Sequence, residues 1–270
     1  MICVVSKYLF NNLKYLQTFK NDNSTAIITD IDGTISEIAP TPDEAVVTNS
    51  MKNELFKLKD KFSLVAVISG RSAINAREMV GVDGLLYVGN HGLEFLKDGK
   101  LFMDPDVEEY LPKIKKTGKK LREGDLSRIT GLLFEDKEIC FSIHYRLCDP
   151  SENVREKILN ILEEDPECEN LKISEGRCLV ELKPPVGCDK GTILSKIIDQ
   201  YNLEKVIYIG DDVTDDDAFK LLKNLEVQNK IVNARVLVIS SEIPPYVKKD
   251  SSFFVNGVEE VCKFFKWLLD

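Results

Sequence analysis

Asp30 and Asp32 stand two residues apart where a short apolar run ends, in the stretch 25–34 that reads TAIITDIDGT. Ala26, Ile27 and Ile28 suit a parallel strand buried on both faces, which places the acids at its carboxyl end. In extended geometry residues two apart share a face, and Gly33 permits a sharp turn where a side chain would clash. Two carboxylates in one small volume raise one another's pKa unless a cation lies between them. The pair therefore suits either a Mg²⁺ site or a nucleophile beside a proton donor, with a plain surface Asp-Gly turn as the alternative.

Three more polar clusters follow apolar runs or open helical ones: Ser69, Gly70 and Arg71; Lys190; and Asp211, Asp212 and Asp215 within GDDVTDDD. If these converge, they hold the parts of a phosphoryl-transfer site. One carboxylate attacks phosphorus, and a second carboxyl group protonates the leaving alcohol and later activates water. Hydroxyl and ammonium groups hold the phosphoryl oxygens. GDDVTDDD would repel itself strongly without a cation, and a Mg²⁺ ion would also offset the repulsion between an anionic nucleophile and an anionic phosphate.

The elements that must position these groups alternate strand and helix. Leu9, Leu13, Leu16 and Phe19 predict an amphipathic helix over 8–19. After the acidic strand and a loop marked by Pro40 and Pro42, a helix carries Met51, Leu55 and Leu58; then come a strand over 63–68, a helix with Ala73, Ala76 and Met79, and a strand over 85–88 closing on GNHGLE. Asp98 and Gly99 mark a hairpin turn. From residue 104 the pattern changes to helix, strand, strand, twice over: a Lys-rich helix over 107–122 with strands over 129–135 and 139–145, then a helix over 152–163 with strands over 171–174 and 177–182. Strand and helix alternation resumes with a helix over 190–200, strands over 206–209, 236–239 and 253–255, a helix over 218–225 and a last helix capped by Asn256. The expected fold is α/β: a Rossmann-like parallel sheet with helices on both faces over 1–103 and 184–270, interrupted by an inserted α+β cap domain over 104–183. Ligands of such sheets bind beyond the carboxyl ends of the strands, where every polar cluster of the core falls.

With 36 basic against 45 acidic residues, the net charge of −9 argues against nucleic acid as the main partner. Seven cysteines, scattered and never in CxxC spacing, indicate neither a disulfide framework nor a zinc cluster. The opening MICVVSKYLF has no basic region before its apolar residues, and no run approaches the roughly 18 apolar residues of a membrane helix. The expectation is a cytoplasmic protein without membrane or nucleic-acid partners.

DIDGT, SGR, the lysine of CDKG and GDDVTD, in that order, resemble the four motifs of the haloacid dehalogenase superfamily of aspartyl-phosphate phosphatases. The resemblance implies Asp30 as nucleophile, Asp32 as general acid and base, and Ser69 and Lys190 as phosphoryl binders. It implies Mg²⁺ held by Asp30, the Asp32 backbone carbonyl and Asp211, with Asp215 a ligand through water or an orienting group and Asp212 the least certain of the acids. GNHGLE, SIHYR, EGRCLVELKPPVGCDKG and the full GDDVTDDDAF resemble signature segments of trehalose-6-phosphate phosphatases. That likeness implies a sugar phosphate as the small-molecule substrate, with Gly33, Gly70, His91, Arg146, Glu181 and Lys183 among its contacts, and a functional link to a trehalose-6-phosphate synthase. A phosphatase of sucrose 6-phosphate or mannosyl-3-phosphoglycerate, or a catalytically silent sugar-phosphate sensor, are the rivals. Where the family often has Tyr or Phe, this chain has Ile31, a side chain that should face away from the acids. Glu181 and Lys183, two apart on a strand, can present acceptor and donor to one sugar, with a cross-strand salt bridge as the alternative. His144 shares its strand face with Ser142 and Arg146, and Arg71 is expected to cap a neighbouring helix rather than bind phosphate.

Overall fold

The structure is a computed structural model and describes residues 6–149, 153–240 and 250–270. Among the described residues two compact units emerge: 6–39, 44–102, 188–240 and 250–270 form the first, 40–43, 103–149 and 153–187 the second.

The first unit runs β1 (Lys7–Tyr8), β2 (Thr25–Thr29), α1 (Asn49–Lys61), β3 (Leu64–Ile68), α2 (Ala73–Val80), β4 (Leu86–Gly89), β5 (Glu94–Lys97) and β6 (Lys100–Met103). The second runs α3 (Leu111–Glu123), β7 (Leu133–Asp136), β8 (Phe141–His144), α4 (Val154–Glu164), β9 (Lys172–Gly176) and β10 (Leu179–Lys183). The chain then returns to the first with α5 (Lys190–Tyr201), β11 (Lys205–Gly210), α6 (Asp215–Val227), β12 (Val232–Ile239), β13 (Phe253–Asn256) and α7 (Gly257–Leu269).

Among the described residues nine strands form one sheet in the order β1-β13-β12-β11-β2-β3-β4-β5-β6. Its pairs from β1 to β4 are parallel, and β5 turns back antiparallel on β4. The expected α/β class holds. Ile27, Val65, Val67, Ile207 and Ile209 point to one face, where they pack with α1, α2 and α7. Alternate residues on the other face, Ile28, Ala66 and Tyr208, are equally buried, and Tyr208 meets Phe219 of α6 edge-on at 5.8 Å. Burial on both faces is what makes these strands read as unbroken apolar runs. The chain leaves β2 toward β3 and β4 on one side and later returns through β11 on the other, so β2 borders the point where strand order reverses, and the crevice there is where such sheets bind ligands.

In the second unit four antiparallel strands run β7-β8-β10-β9, with α3 and α4 preceding the two hairpins as the repeated helix, strand, strand pattern requires. Phe141, Ile143, Val180 and Leu182 share a core with Ile114 and Leu121 of α3 and Ile158 and Leu162 of α4.

Three expectations need correction. Residues 8–19 form no single helix but a series of 3₁₀ turns, Leu9–Asn11, Leu13–Tyr15 and Gln17–Phe19. The Asn12 side-chain amide donates to the Tyr8 carbonyl at 2.8 Å, taking the acceptor an α-helix would give to a backbone N–H, and Asn12 N–H goes to Leu9 instead. Leu9, Leu16 and Phe19 are buried all the same. The Lys-rich helix begins as a 3₁₀ segment, Pro105–Tyr110, and becomes α-helical only at Leu111, where Pro112 fits the first turn because no intrahelical N–H is needed there. Asn256 holds the N-terminal position of α7 without a side-chain cap; its N–H donates to the Glu260 carboxylate at 2.7 Å. The expected start of the second helix of the inserted region, residue 152, lies outside the described residues.

Candidate active site

β11, β2 and β3 lie side by side in register, with Ile209 level with Thr29 and Thr29 level with Val67, so the residues that follow them emerge together. Asp211 follows β11, Asp30 follows β2 and Ser69 follows β3. Lys190 opens α5. Asp30, Ser69, Lys190, Asp211 and Asp215 are all buried.

The loop after β2 folds tightly on itself. Thr34, Ile35 and Ser36 N–H groups all donate to the Ile31 carbonyl, and Gly33 N–H donates to Ser36. Ile31 is fully buried in the apolar core, facing away from the acids. Gly33 takes φ +84°, and a Cβ there would lie 1.9 Å from Asp211 Oδ2, so only glycine lets the Asp211 carboxylate press against the backbone just past Asp32.

Lys190 Nζ sits 3.1 Å from Asp30 Oδ1 and 2.7 Å from Asp215 Oδ1. Burial works against its charge, but Asp215 and Asp30 outweigh that and hold its pKa above that of an ordinary lysine. Burial pushes the Asp30 carboxyl well above the usual carboxylate range; Lys190 opposes the shift, while Asp215, Asp211 and Asp32 add to it. Carboxylate oxygens of Asp30, Asp211 and Asp215 lie within 4.8 Å of one another. Such a buried, all-oxygen, acid-rich cluster fits a hard divalent cation, which would restore the anionic form of Asp30.

Asp215 is committed elsewhere. Its Oδ1 accepts from Lys190 and from the Tyr208 hydroxyl at 2.7 Å, and its Oδ2 accepts the N–H groups of Asp211 at 3.1 Å and Asp212 at 3.0 Å. A carboxylate has about four acceptor positions, and these bonds fill them. Asp215 thus shapes the loop that carries Asp211 and aims Lys190. Asp212 Oδ1 accepts from Val213 N–H, within its own turn.

Arg71 grips Asp32. Its Nε donates to Asp32 Oδ2 and its Nη2 to Asp32 Oδ1, both at 2.8 Å, and its Nη1 donates to Asn75 at 3.0 Å. Ser72 caps α2, accepting from Asn75 N–H. Ser69 Oγ accepts from Arg71 N–H at 3.2 Å. The His91 ring lies against Gly70, where a Cβ would come within 2.8 Å of its Nε2.

Glu181, Lys183 and Arg146 belong to the second unit. Register sets Glu135, Ser142 and Glu181 in one row across β7, β8 and β10, on the face opposite Phe141, Ile143, Val180 and Leu182. Glu181 has a salt bridge across the sheet, to Lys137: Lys137 Nζ and Ser142 Oγ both donate to Glu181 Oε1 at 3.0 Å. Lys137 also lies 3.8 Å from Glu135, whose carboxylate meets His144 Nε2 at 2.9 Å. Burial disfavours the Lys137 ammonium, yet Glu181 and Glu135 keep its pKa above the ordinary lysine range. Lys183 is two residues beyond Glu181 on the same strand, and Arg146 follows β8 half-buried.

Tyr208 and Lys137 are the contributors that sequence reading missed; Arg71 was placed in its cluster, but without its partner Asp32. A tyrosine inside an otherwise apolar buried strand is the one advance signal, because its hydroxyl requires a partner.

An acidic pair ending the central strand of a doubly wound sheet, with a lysine and a second acidic loop beside it, is the arrangement of a haloacid dehalogenase-like fold. The chain superposes on a haloacid dehalogenase-like hydrolase from Bacteroides thetaiotaomicron with a TM-score of 0.56 at 16% identity, covering 90% of this chain and 98% of that one. Within that class the chain belongs to the trehalose-phosphatase family, whose match spans residues 28–256. A probable trehalose-phosphate phosphatase D of Arabidopsis thaliana is 34% identical over 211 residues, which is 72% of this chain and 56% of that relative's length. The C-terminal domain of C. albicans trehalose-6-phosphate phosphatase has the same fold, with a TM-score of 0.75 at 20% identity, over 98% of both chains. No helix among the described residues is long and apolar enough to cross a membrane.

Proposed function

We propose that this chain is a cytoplasmic, Mg²⁺-dependent phosphatase that hydrolyses trehalose 6-phosphate to trehalose and phosphate. The observation that carries the reading is the buried cluster in which Lys190 touches Asp30 while Asp211 closes on the same space. Asp30 Oδ attacks phosphorus, and the bond from phosphorus to the sugar oxygen breaks. Asp32 gives its proton to that oxygen as trehalose leaves. Asp32, now anionic, takes a proton from water as the water oxygen attacks the phosphorus of the aspartyl phosphate, which frees phosphate and regenerates Asp30. Ser69 and Lys190 hold the phosphoryl oxygens through both steps. Mg²⁺ held by Asp30, Asp211 and the Asp32 carbonyl would supply charge neutralisation between nucleophile and phosphate.

The second unit serves in this reading as the cap that recognises the sugar. Burying Lys137 and Glu181 beneath a sheet face costs desolvation that apolar residues would not, which supports a ligand-binding use for the row. Glu181, Lys183 and Arg146 would bind trehalose hydroxyls, and His91 and Gly70 of the first unit would border the phosphate end.

Phosphate release from trehalose 6-phosphate, sucrose 6-phosphate and mannosyl-3-phosphoglycerate, with chelator and after Mg²⁺ is restored, tests the reading. Trehalose 6-phosphate should give the highest kcat/KM, chelation should abolish it, and trapping should label Asp30. Preference for another sugar phosphate would transfer the assignment to that substrate, and binding without turnover would leave a sensor.

A further inference from the structure

The segment 89–94, GNHGLE, holds an unusual backbone conformation. Two consecutive non-glycine residues, Asn90 (φ +48°) and His91 (φ +57°), hold left-handed backbone conformations. Such strain persists only where surrounding contacts over-determine it. Gly92 packs against Ile193 of α5, and the backbone of the two strained residues reaches the loop between β3 and α2. His91 N–H donates to the Ser69 carbonyl at 3.0 Å, and Asn90 N–H donates to the Arg71 carbonyl at 2.7 Å. Glu94, 4% exposed, accepts through one oxygen the N–H of Ala73, the first residue of α2, at 2.7 Å and the Asn90 side-chain amide at 2.9 Å.

Residue types around Glu94 fit this arrangement. A Cβ at Gly89 would lie 2.1 Å from Ala73 N and 2.6 Å from Glu94 Oε1, so a side chain there would displace the bond between them. Position 90 needs a residue that tolerates positive φ and also donates to a carboxylate. Glycine meets the first need and aspartate fails the second, whereas asparagine meets both. Asn90 Oδ1 is buried with no hydrogen-bond partner, an expense that fits a side chain kept for its amide donor.

We propose that Glu94, with Asn90, is a positioning residue: it pins the loop carrying Ser69 and Arg71 to the start of α2 and thereby sets the phosphoryl-binding hydroxyl and the guanidinium that grips Asp32. The proposal rests on the reading of Ser69 as a phosphoryl binder. Its test therefore has one arm that depends on that reading and one that does not.

Full-length protein carrying Glu94→Ala, Glu94→Gln or Asn90→Gly is compared with the parent by amide hydrogen exchange and by calorimetric titration of inorganic phosphate with Mg²⁺ present. Glu94→Ala should speed exchange at Arg71 and Ala73 about tenfold or more while the amides of β2 and β11 keep their rates. Phosphate affinity should fall about tenfold. Glutamine keeps an acceptor oxygen and should restore both to within about threefold. Asn90→Gly keeps Glu94 and the backbone geometry but removes the amide donor, so it should loosen the loop to an intermediate degree. It carries the test if the alanine variant does not fold. Unchanged exchange at Arg71 and Ala73, or loosening that spreads equally to β2 and β11, overturns the proposal, as does an unchanged phosphate affinity beside a loosened loop. A parent protein that binds no phosphate would sink the phosphatase reading instead, and the exchange arm would still decide whether Glu94 pins the loop.

Discussion

Arg71 holds both carboxylate oxygens of Asp32, Nε to Oδ2 and Nη2 to Oδ1, each at 2.8 Å. A bidentate pair fixes the plane of the carboxylate as well as its distance, so the guanidinium determines how Asp32 is oriented. If Asp32 is the general acid, Arg71→Lys, which keeps one charge but loses the fork, should slow release of a poor leaving group by about 10 to 100-fold. Release of a nitrophenolate, which needs no protonation, should suffer little. A steeper dependence of kcat on leaving-group pKa in the variant is the expected measurement, and parallel losses on both substrates would contradict it.

Tyr208 should matter more than its place in an apolar strand suggests. Burial, reinforced by Asp215 and Asp30, raises its pKa well above the ordinary phenol value, so it remains a donor to Asp215. Tyr208→Phe removes one buried hydrogen bond without changing shape and should cost about 1–2 kcal/mol in urea unfolding. Asp215→Asn should do more harm. Either the Asp211 and Asp212 N–H groups or Lys190 and Tyr208 would then face an NH₂ donor, and a buried donor set against donors leaves several groups unpaired. Equal stabilities for the two variants would show that Asp215 does not organise this loop.

These two relationships also mark what the sequence could reveal. Asp30, Ser69 and Asp211 were legible because each follows an apolar run, and a parallel sheet brings the ends of such runs together. Arg71 and Asp32 are separated by 39 positions, and their contact depends on β2 and β3 being neighbours in a given register, which no local pattern encodes. The same holds for Lys137, a turn residue whose partner Glu181 lies 44 positions on. The 8–19 segment failed for another reason: 3₁₀ turns bury Leu9, Leu16 and Phe19 on one side too, so apolar spacing alone does not separate them from an α-helix.

Acid sensitivity of the sheet has an identifiable source at Asp22, just before β2. Burial alone would raise its pKa, but hydrogen bonds from Thr25, Lys205 and Ser24 bring it down to about 2. The folded pKa lies below the unfolded value of about 3.9, so its stabilisation is full above that pH and disappears as pH falls toward 2. Asp22→Asn should lower stability by about 1–2 kcal/mol at pH 7, the partly exposed site reducing the full effect of the shift. The gap between parent and variant should narrow steadily from pH 4 to pH 2 in denaturant titrations, and a gap independent of pH would remove Asp22 as the cause.

The buried row of the second unit allows stability and recognition to be separated. Lys137→Met removes a cation and leaves the Glu181 carboxylate, 2% exposed, without its ammonium partner, a change that typically costs about 3–5 kcal/mol. Combining Lys137→Met with Glu181→Leu replaces the ion pair by apolar groups, which in other buried pairs is neutral or stabilising. The double variant should therefore regain most of the melting temperature that the single variant loses. Sugar recognition should not return with it, because apolar groups at positions 137 and 181 offer neither donor nor acceptor to a hydroxyl, and each unpaired hydroxyl costs about 1–3 kcal/mol. The double variant should show kcat/KM for trehalose 6-phosphate reduced by about 100-fold or more, with hydrolysis of a small aryl phosphate within about threefold of the parent. If activity on trehalose 6-phosphate recovered along with stability, the Lys137–Glu181 pair would be a fold-holding contact and sugar specificity would have to reside elsewhere, with Arg146 and Lys183 the next residues to vary.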